Sequence, residues 1–185
     1  MGISALIMSR AIFLDRDGVL NNAIVKNGKP YPPSTLNEVV IADDVLPSLQ
    51  ILKHMGYLLI GATNQPDVAR GTADKALVES INQYLMNMLP LDVIRICYHD
   101  DADDCACRKP SPGLLTEAAS EYQIDLNNSF MIGDRWKDIE AGQRAGCKTI
   151  WIDRGYQENF SAEPADVRVN SLSEATRWIK QQIGN

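Results

Sequence analysis

Ala11-Ile12-Phe13-Leu14-Asp15-Arg16-Asp17-Gly18 runs four apolar residues directly into two carboxylates held one residue apart. The unbroken apolar stretch predicts a strand over Ala11–Leu14 buried on both faces, as in a parallel sheet covered by helices on each side. Two acids this close do not both ionise cheaply unless a cation or a proton stands between them. The strand end is therefore a site rather than a packing element, and Gly18 follows it as the turn residue.

The rest of the chain repeats this arrangement. A helix is expected from Asp43 to Met55, with Val45, Leu49, Leu52 and Met55 on one stripe and Gly56 as its stop. Tyr57–Ala62 reads as a second strand. Thr72 is the expected cap of a helix running through Leu89, with Leu77, Ile81, Leu85 and Met88 facing inward. Val93–Cys97, Phe130–Ile132 and Thr149–Ile152 read as strands three to five. Helices fill Pro112 to Gln123 and Trp136–Ala145, and a short strand at Val167–Val169 precedes a closing helix from Leu172 to Ile183. The alternation predicts an α/β fold, a doubly wound, Rossmann-like parallel sheet with helices on both faces, in one domain over residues 1–185.

Such sheets bind ligands in the crevice beyond the carboxyl ends of their strands. The residues there are Asp15 and Asp17, then Thr63-Asn64-Gln65, then the loop from Cys97 to Lys109, then Gly133-Asp134. Asp15 and Asp134 are expected to converge from neighbouring strands and to offer hard oxygen ligands to a Mg2+ that keeps several waters. Thr63 offers a hydroxyl and backbone N–H groups to a phosphate oxygen. Lys109, between Arg108 and Pro110, brings positive charge to a transferring group. Read singly, each segment also fits a turn, a helix cap or a solvated loop. Their convergence is what points to phosphoryl chemistry.

Three of the four cysteines and one of the two histidines share one loop, Cys97-Tyr98-His99 followed after five residues by Cys105-Ala106-Cys107. Three thiolates and an imidazole make a closed tetrahedral Zn2+ site, structural rather than catalytic because no position stays open. Disulfides are the competing reading, disfavoured by a Cys-x-Cys pair with a nearby His in a chain expected in a reducing compartment. Cys107 is bonded to Arg108, so a metal clamp there would hold Arg108 and Lys109 in place. Asp100, Asp101, Asp103 and Asp104 are expected to form a solvated rim. Cys147 reads as core, and His54 as a cation at a helix end.

The 185 residues, 45% hydrophobic and 23% charged, suit one globular domain. A net charge of −6 argues against a nucleic-acid or acidic-membrane partner but leaves room for a small phosphorylated substrate. No apolar run reaches membrane-spanning length. The apolar start from Met1 to Leu14 lacks the basic residues and cleavage site of a secretory signal. Leu6 stands where a myristoylation signal after Gly2 wants Ser or Thr, and Met8 offers an alternative start. The expected location is the cytoplasm, and the expected state a monomer.

Phe13-Leu14-Asp15-Arg16-Asp17-Gly18-Val19-Leu20-Asn21, Thr63-Asn64-Gln65, Arg108-Lys109-Pro110 and Gly133-Asp134-x-x-x-Asp138 resemble, in order and spacing, the four motifs of haloacid-dehalogenase-like (HAD) phosphatases. Asp-Arg-Asp-Gly, Thr-Asn-Gln, Ala69-Arg70-Gly71 and Cys-Arg-Lys-Pro are closest in wording to the histidinol phosphatase and heptose-1,7-bisphosphate phosphatase group, whose members commonly carry a zinc loop at this place. The resemblance implies that Asp15 is a nucleophile forming an aspartyl-phosphate, and that Asp17 is the acid–base residue, with its backbone carbonyl on Mg2+. It implies that Thr63 and Lys109 hold phosphoryl oxygens, that Asp134 completes the metal site and that Asp138 supports it. Asn64, Gln65, Arg108 and Arg135 are the implied substrate contacts.

Only about two dozen residues separate Asp17 from the next helix, too few for a cap domain. Residues 21–33, with Lys29 and Tyr31, are the expected rim of an open site. Two departures bear on the substrate: this rim is longer than in the heptose enzymes, and Pro66-Asp67-Val68 follows Gln65 where those enzymes more often have Ser-Gly-Ile. A heptose bisphosphate is favoured, with histidinol phosphate as the alternative within the class. A phospho-receiver domain is the alternative outside it, but receivers place the acceptor on a later strand and need no Cys3His loop. A zinc-dependent interaction module leaves Asp15, Asp17 and Asp134 unexplained.

Overall fold

A computed structural model describes residues 8–157 and 163–183. The expectations about Met1, Gly2 and Leu6 lie outside them. Six parallel strands form one sheet: β1 (Arg10–Leu14), β4 (Tyr57–Asn64), β5 (Val93–Cys97), β6 (Phe130–Gly133), β7 (Lys148–Ile152) and β8 (Val167–Val169). Their order across the sheet is β5-β4-β1-β6-β7-β8. The chain starts in the middle, builds outward to one edge through β4 and β5, then returns to build the other half. The crevice of such a sheet opens where the order reverses, here between β1 and β6, whose ends carry Asp15 and Asp134.

Alternate residues of β1 supply the two halves of the core. Ile12 and Leu14 pack with Val45, Leu49 and Leu52 of α1 (Val45–His54), with Ile81 and Leu85 of α2 (Lys75–Met88), and with Leu172, Ala175 and Ile179 of α5 (Leu172–Ile183). Ala11 and Phe13 pack on the opposite face with Leu114, Leu115 and Ala118 of α3 (Gly113–Tyr122). The fourth helix, α4 (Trp136–Ala145), lies on that face too, where Gly142 lets its backbone approach Met131 and Thr149. Cys147 is buried in this second half of the core.

The strands and helices read from the sequence are all present, with local corrections. α2 starts three residues after Thr72, and its cap is Asp74, whose side chain accepts from the Ala76 N–H. Thr72 belongs instead to a turn in which its N–H donates to the Asp67 carbonyl. The buried face of α2 is Val78, Ile81, Asn82 and Leu85, so Met88, 51% exposed, lies outside it. β4 runs on through Thr63 and Asn64, so those residues sit within the last rungs of the ladder rather than after it. Residues 21–33 hold an antiparallel hairpin, β2 (Ile24–Lys26) and β3 (Lys29–Tyr31). Asn27 and Gly28 turn it with φ of 51° and 72°, the two positive dihedrals of a tight hairpin turn.

Candidate active site

Asp15 sits one residue past β1 with its N–H bonded to the Ile132 carbonyl of β6, so its carboxylate is fixed by the ladder itself. Lys109 reaches it from the loop after β5. The Lys109 Nζ uses its three protons on Asp15 Oδ1, Asp138 Oδ1 and the Ala62 carbonyl, each at 2.6 Å. The ammonium is held where it is by Asn64, whose side-chain amide donates to the Lys109 carbonyl at 2.9 Å and accepts from the Lys109 N–H at 3.0 Å. Burial opposes the charge on Lys109, but Asp138 and Asp15 outweigh it and hold the ammonium above its ordinary range. Burial pushes the Asp15 carboxyl up to about 6 against the pull of Lys109.

Asp134 follows β6 and is 1% exposed. Neither of its carboxylate oxygens receives a hydrogen bond of ordinary geometry from the described residues, although the Tyr156 phenol stands close enough for burial and Asp134 together to push its pKa up. Burial, then Asp15 and Asp138, push the Asp134 carboxyl well up. Its approach depends on Gly18. A Cβ there would lie 1.7 Å from Asp134 Oδ2, and Gly18 has a φ of +102° that side-chain-bearing residues rarely adopt. One oxygen each of Asp15, Asp134 and Asp138 lie within 4.8 Å of one another. Three buried carboxylates with a single ammonium among them leave a charge deficit, and orphaned oxygens in such a cluster fit a hard divalent cation. Asp138 also accepts from the Arg135 N–H at 3.1 Å, which orients it at the start of α4.

The Asp17 carboxylate lines the same cavity and is held by a separate set of partners. Oδ2 accepts from Arg16 Nε at 3.1 Å, Arg16 Nη2 at 2.8 Å and Gln65 Nε2 at 2.9 Å, and Oδ1 accepts from Asn21 Nδ2 at 3.1 Å. Gln65 Nε2 also reaches Thr63 Oγ1 at 2.9 Å. Asn64 and Gln65 thus line the cavity with their amides engaged on Lys109, Asp17 and Thr63. Arg108 and Arg135 line the same cavity, together with Lys29, Tyr31, Arg70 and Lys137. The hairpin β2–β3 therefore forms one wall, held there by the Gln157 N–H on the Gly28 carbonyl at 2.9 Å. The sequence placed the rim but not its hairpin, for which Asn27-Gly28 was the available signal.

The loop from Cys97 to Cys107 brings its four donors together. The Cys97, Cys105 and Cys107 sulfurs and His99 Nδ1 lie 3.0 to 3.7 Å from their neighbours. All four cysteines are free thiols. Burial and the contact with Cys107 push the Cys97 thiol up, and burial pushes Cys107 up. Crowded thiols beside an imidazole nitrogen match the donor set and spacing of a tetrahedral metal site.

The expected acidic rim of this loop is more engaged than the sequence suggested. Asp100 receives Arg70, which holds its carboxyl down to about 2. Asp101 accepts from Arg108 Nε at 2.7 Å, and the His99 carbonyl accepts from Arg108 Nη1 at 3.4 Å. Arg16, Arg154 and Tyr156 are further residues that the sequence reading passed over. Arg154 Nε donates to the Gly18 carbonyl at 2.9 Å, so the loop after β7 braces the turn behind Asp17.

Comparisons with known proteins agree with this geometry. A family model described as HAD-hydrolase-like matches residues 106–175. D-glycero-beta-D-manno-heptose-1,7-bisphosphate 7-phosphatase of Pasteurella multocida is 38% identical, covering 94% of this chain and 98% of that protein. Its counterpart in Photorhabdus laumondii is 35% identical, covering 92% and 95%. Among solved structures, the D,D-heptose 1,7-bisphosphate phosphatase of B. bronchiseptica, complexed with magnesium and phosphate, superposes with a TM-score of 0.79 at 27% identity, covering 94% of this chain and 99% of that one. No helix among the described residues is long and apolar enough to cross a membrane.

Proposed function

The chain belongs to the HAD phosphatases, in the group of the heptose-bisphosphate 7-phosphatases, and from that premise we propose that it removes the 7-phosphate of D-glycero-β-D-manno-heptose 1,7-bisphosphate. The observation that carries the reading is the buried contact of Asp15 Oδ1 with Lys109 Nζ at 2.6 Å, beside an Asp134 carboxylate that receives no hydrogen bond of ordinary geometry from the described residues. Asp15 and Asp134, with the backbone carbonyl of Asp17, would hold a Mg2+ that neutralises substrate charge and lets a carboxylate approach phosphorus.

In the first step an Asp15 oxygen bonds to phosphorus as the bond to the sugar oxygen breaks, and Asp17 gives that oxygen a proton. In the second, water adds to phosphorus, Asp17 takes its proton, and the bond to Asp15 breaks. Thr63 holds a phosphoryl oxygen, and Lys109, positioned by Asn64, brings its positive charge to the phosphoryl group. Asp138 fixes the far side of the Lys109 ammonium. Arg108 and Arg135 meet the rest of the substrate, and the hairpin carrying Lys29 and Tyr31 forms the rim of a site without a cap domain. Cys97, His99, Cys105 and Cys107 would hold a structural Zn2+ that clamps the loop carrying Arg108 and Lys109. The reading keeps residues 1–185 as one catalytic domain, a cytoplasmic monomer acting on a small phosphorylated sugar.

Phosphate release with Mg2+ across sugar bisphosphates and histidinol phosphate tests it. The heptose bisphosphate is the expected best substrate, with Asp15→Asn folded and inert. Preference for histidinol phosphate would overturn the sugar assignment, and turnover by Asp15→Asn would overturn the mechanism.

A further inference from the structure

Arg16 is the largest side chain fully withdrawn from solvent, at 0% exposure. Its guanidinium places Nε and Nη2 on Asp17 Oδ2, at 3.1 and 2.8 Å, and Nη1 on Asn82 Oδ1 at 3.1 Å. Asn82 is the one polar residue on the buried face of α2. Its own side-chain nitrogen has no partner among the described residues, so the helix presents this amide to Arg16 and to nothing else there.

Burying a guanidinium is costly, and an apolar side chain of similar length fills such a space at lower desolvation cost. A charge kept in that position needs a reason, and packing does not supply one. Among the described residues the carboxylate it touches is Asp17. With Gln65 Nε2 added, three N–H groups cover Asp17 Oδ2, whereas Oδ1 has only Asn21. One oxygen is saturated and the other is left with room to exchange a proton.

We propose that Arg16, anchored by Asn82, is a positioning residue that fixes which oxygen of Asp17 handles the proton. It holds Oδ2 as a hinge point and leaves Oδ1 to give a proton to the leaving sugar oxygen and to take one from the attacking water. This rests on the assignment of Asp17 as the acid–base residue. Arg16 acts through Asp17 and does not itself meet the substrate. Asn82 extends the same control to α2.

The test separates chemistry from folding by choice of leaving group. An alkoxide must be protonated as it leaves, whereas p-nitrophenolate leaves without a proton, so only the hydrolysis of the aspartyl-phosphate then depends on Asp17. For Arg16→Met, kcat with the sugar bisphosphate is expected to fall by about 100-fold, within the usual reach of acid–base catalysis, with little change in KM. With p-nitrophenyl phosphate and Mg2+ the same variant is expected to release a rapid burst of about one nitrophenolate per active site, then turn over slowly. Asn82→Leu and Arg16→Lys are expected to shift in the same direction by several-fold, and they decide the matter if Arg16→Met does not fold. Wild-type kcat and no burst in folded variants would overturn the role of Arg16. Full turnover by Asp17→Asn would overturn the assignment of Asp17 and this inference with it.

Discussion

Two regions of the molecule crowd acidic donors together, and they differ in what already stands among them. The carboxylates of Asp15, Asp134 and Asp138 are buried at the end of the sheet and share one resident cation, Lys109. The thiols of Cys97, Cys105 and Cys107 with His99 lie on a half-exposed loop, and their four donor atoms crowd within 4.8 Å of one another. The first cluster is partly neutralised and keeps an asymmetry, a fixed ammonium on one side and, on the other, Asp134 oxygens that receive no hydrogen bond of ordinary geometry from the described residues. That suits an exchangeable ion and a reacting phosphate. The second has as many donors as a tetrahedral ion has positions and nothing left over, which suits a permanent clamp. The same crowding thus serves turnover in one region and rigidity in the other.

Removing the resident cation breaks the contrast most severely. Lys109→Met leaves three buried carboxylates without their ammonium. Turnover is expected to vanish, and the metal-free protein to lose about 3–5 kcal/mol, the usual cost of unpairing a buried charge. A melting curve should recover in part on adding Mg2+, and a variant as stable as wild type would show that Lys109 does not hold the acids together. Cys107→Ser attacks the other cluster. Zinc measured by mass spectrometry should fall from about one per chain to none. Since Arg108 leans on the His99 carbonyl and Asp101 of the same loop, KM for the sugar bisphosphate should rise about tenfold or more while Asp15 still reacts. An unchanged KM would detach the loop from substrate binding.

The smallest effect concerns pH. The Asp15 carboxyl is pushed up to about 6, chiefly by burial, and Asp134 is raised too. Below that pH Asp15 carries a proton that Mg2+ must displace, and above it Asp15 does not. Mg2+ affinity measured by calorimetry should therefore weaken about tenfold per pH unit below 6 and level off above about 7, with protons released on binding in the lower range. Affinity independent of pH between 5 and 7 would mean that Lys109 alone keeps Asp15 ionised.

Most of the sheet and the first ring of the site were legible because buried parallel strands are short apolar runs whose polar punctuation falls at one end. Asp15, Thr63, Lys109 and Asp134 announce themselves in that way. The hairpin did not, because two three-residue strands with exposed Val25 and Lys29 give no alternation long enough to read. Arg16 and Asn82 were hidden for a different reason. Nothing in a sequence says that the arginine between two acids turns inward to meet a helix sixty-six residues later. The pairing of Asp100 with Arg70 and of Asp101 with Arg108 was hidden likewise, since acids in a polar loop look solvated until the loop folds back on itself and its neighbour is placed beside it.

The central claim is that Asp15 itself takes the phosphoryl group. Turnover of the sugar bisphosphate with Mg2+, quenched in acid within the first cycle and followed by peptide mass spectrometry, tests it most directly. A phosphoryl group on the peptide carrying Asp15, absent from Asp15→Asn, is the predicted result. Phosphate released at full rate with Asp15 never modified, or modification at another residue, would contradict it.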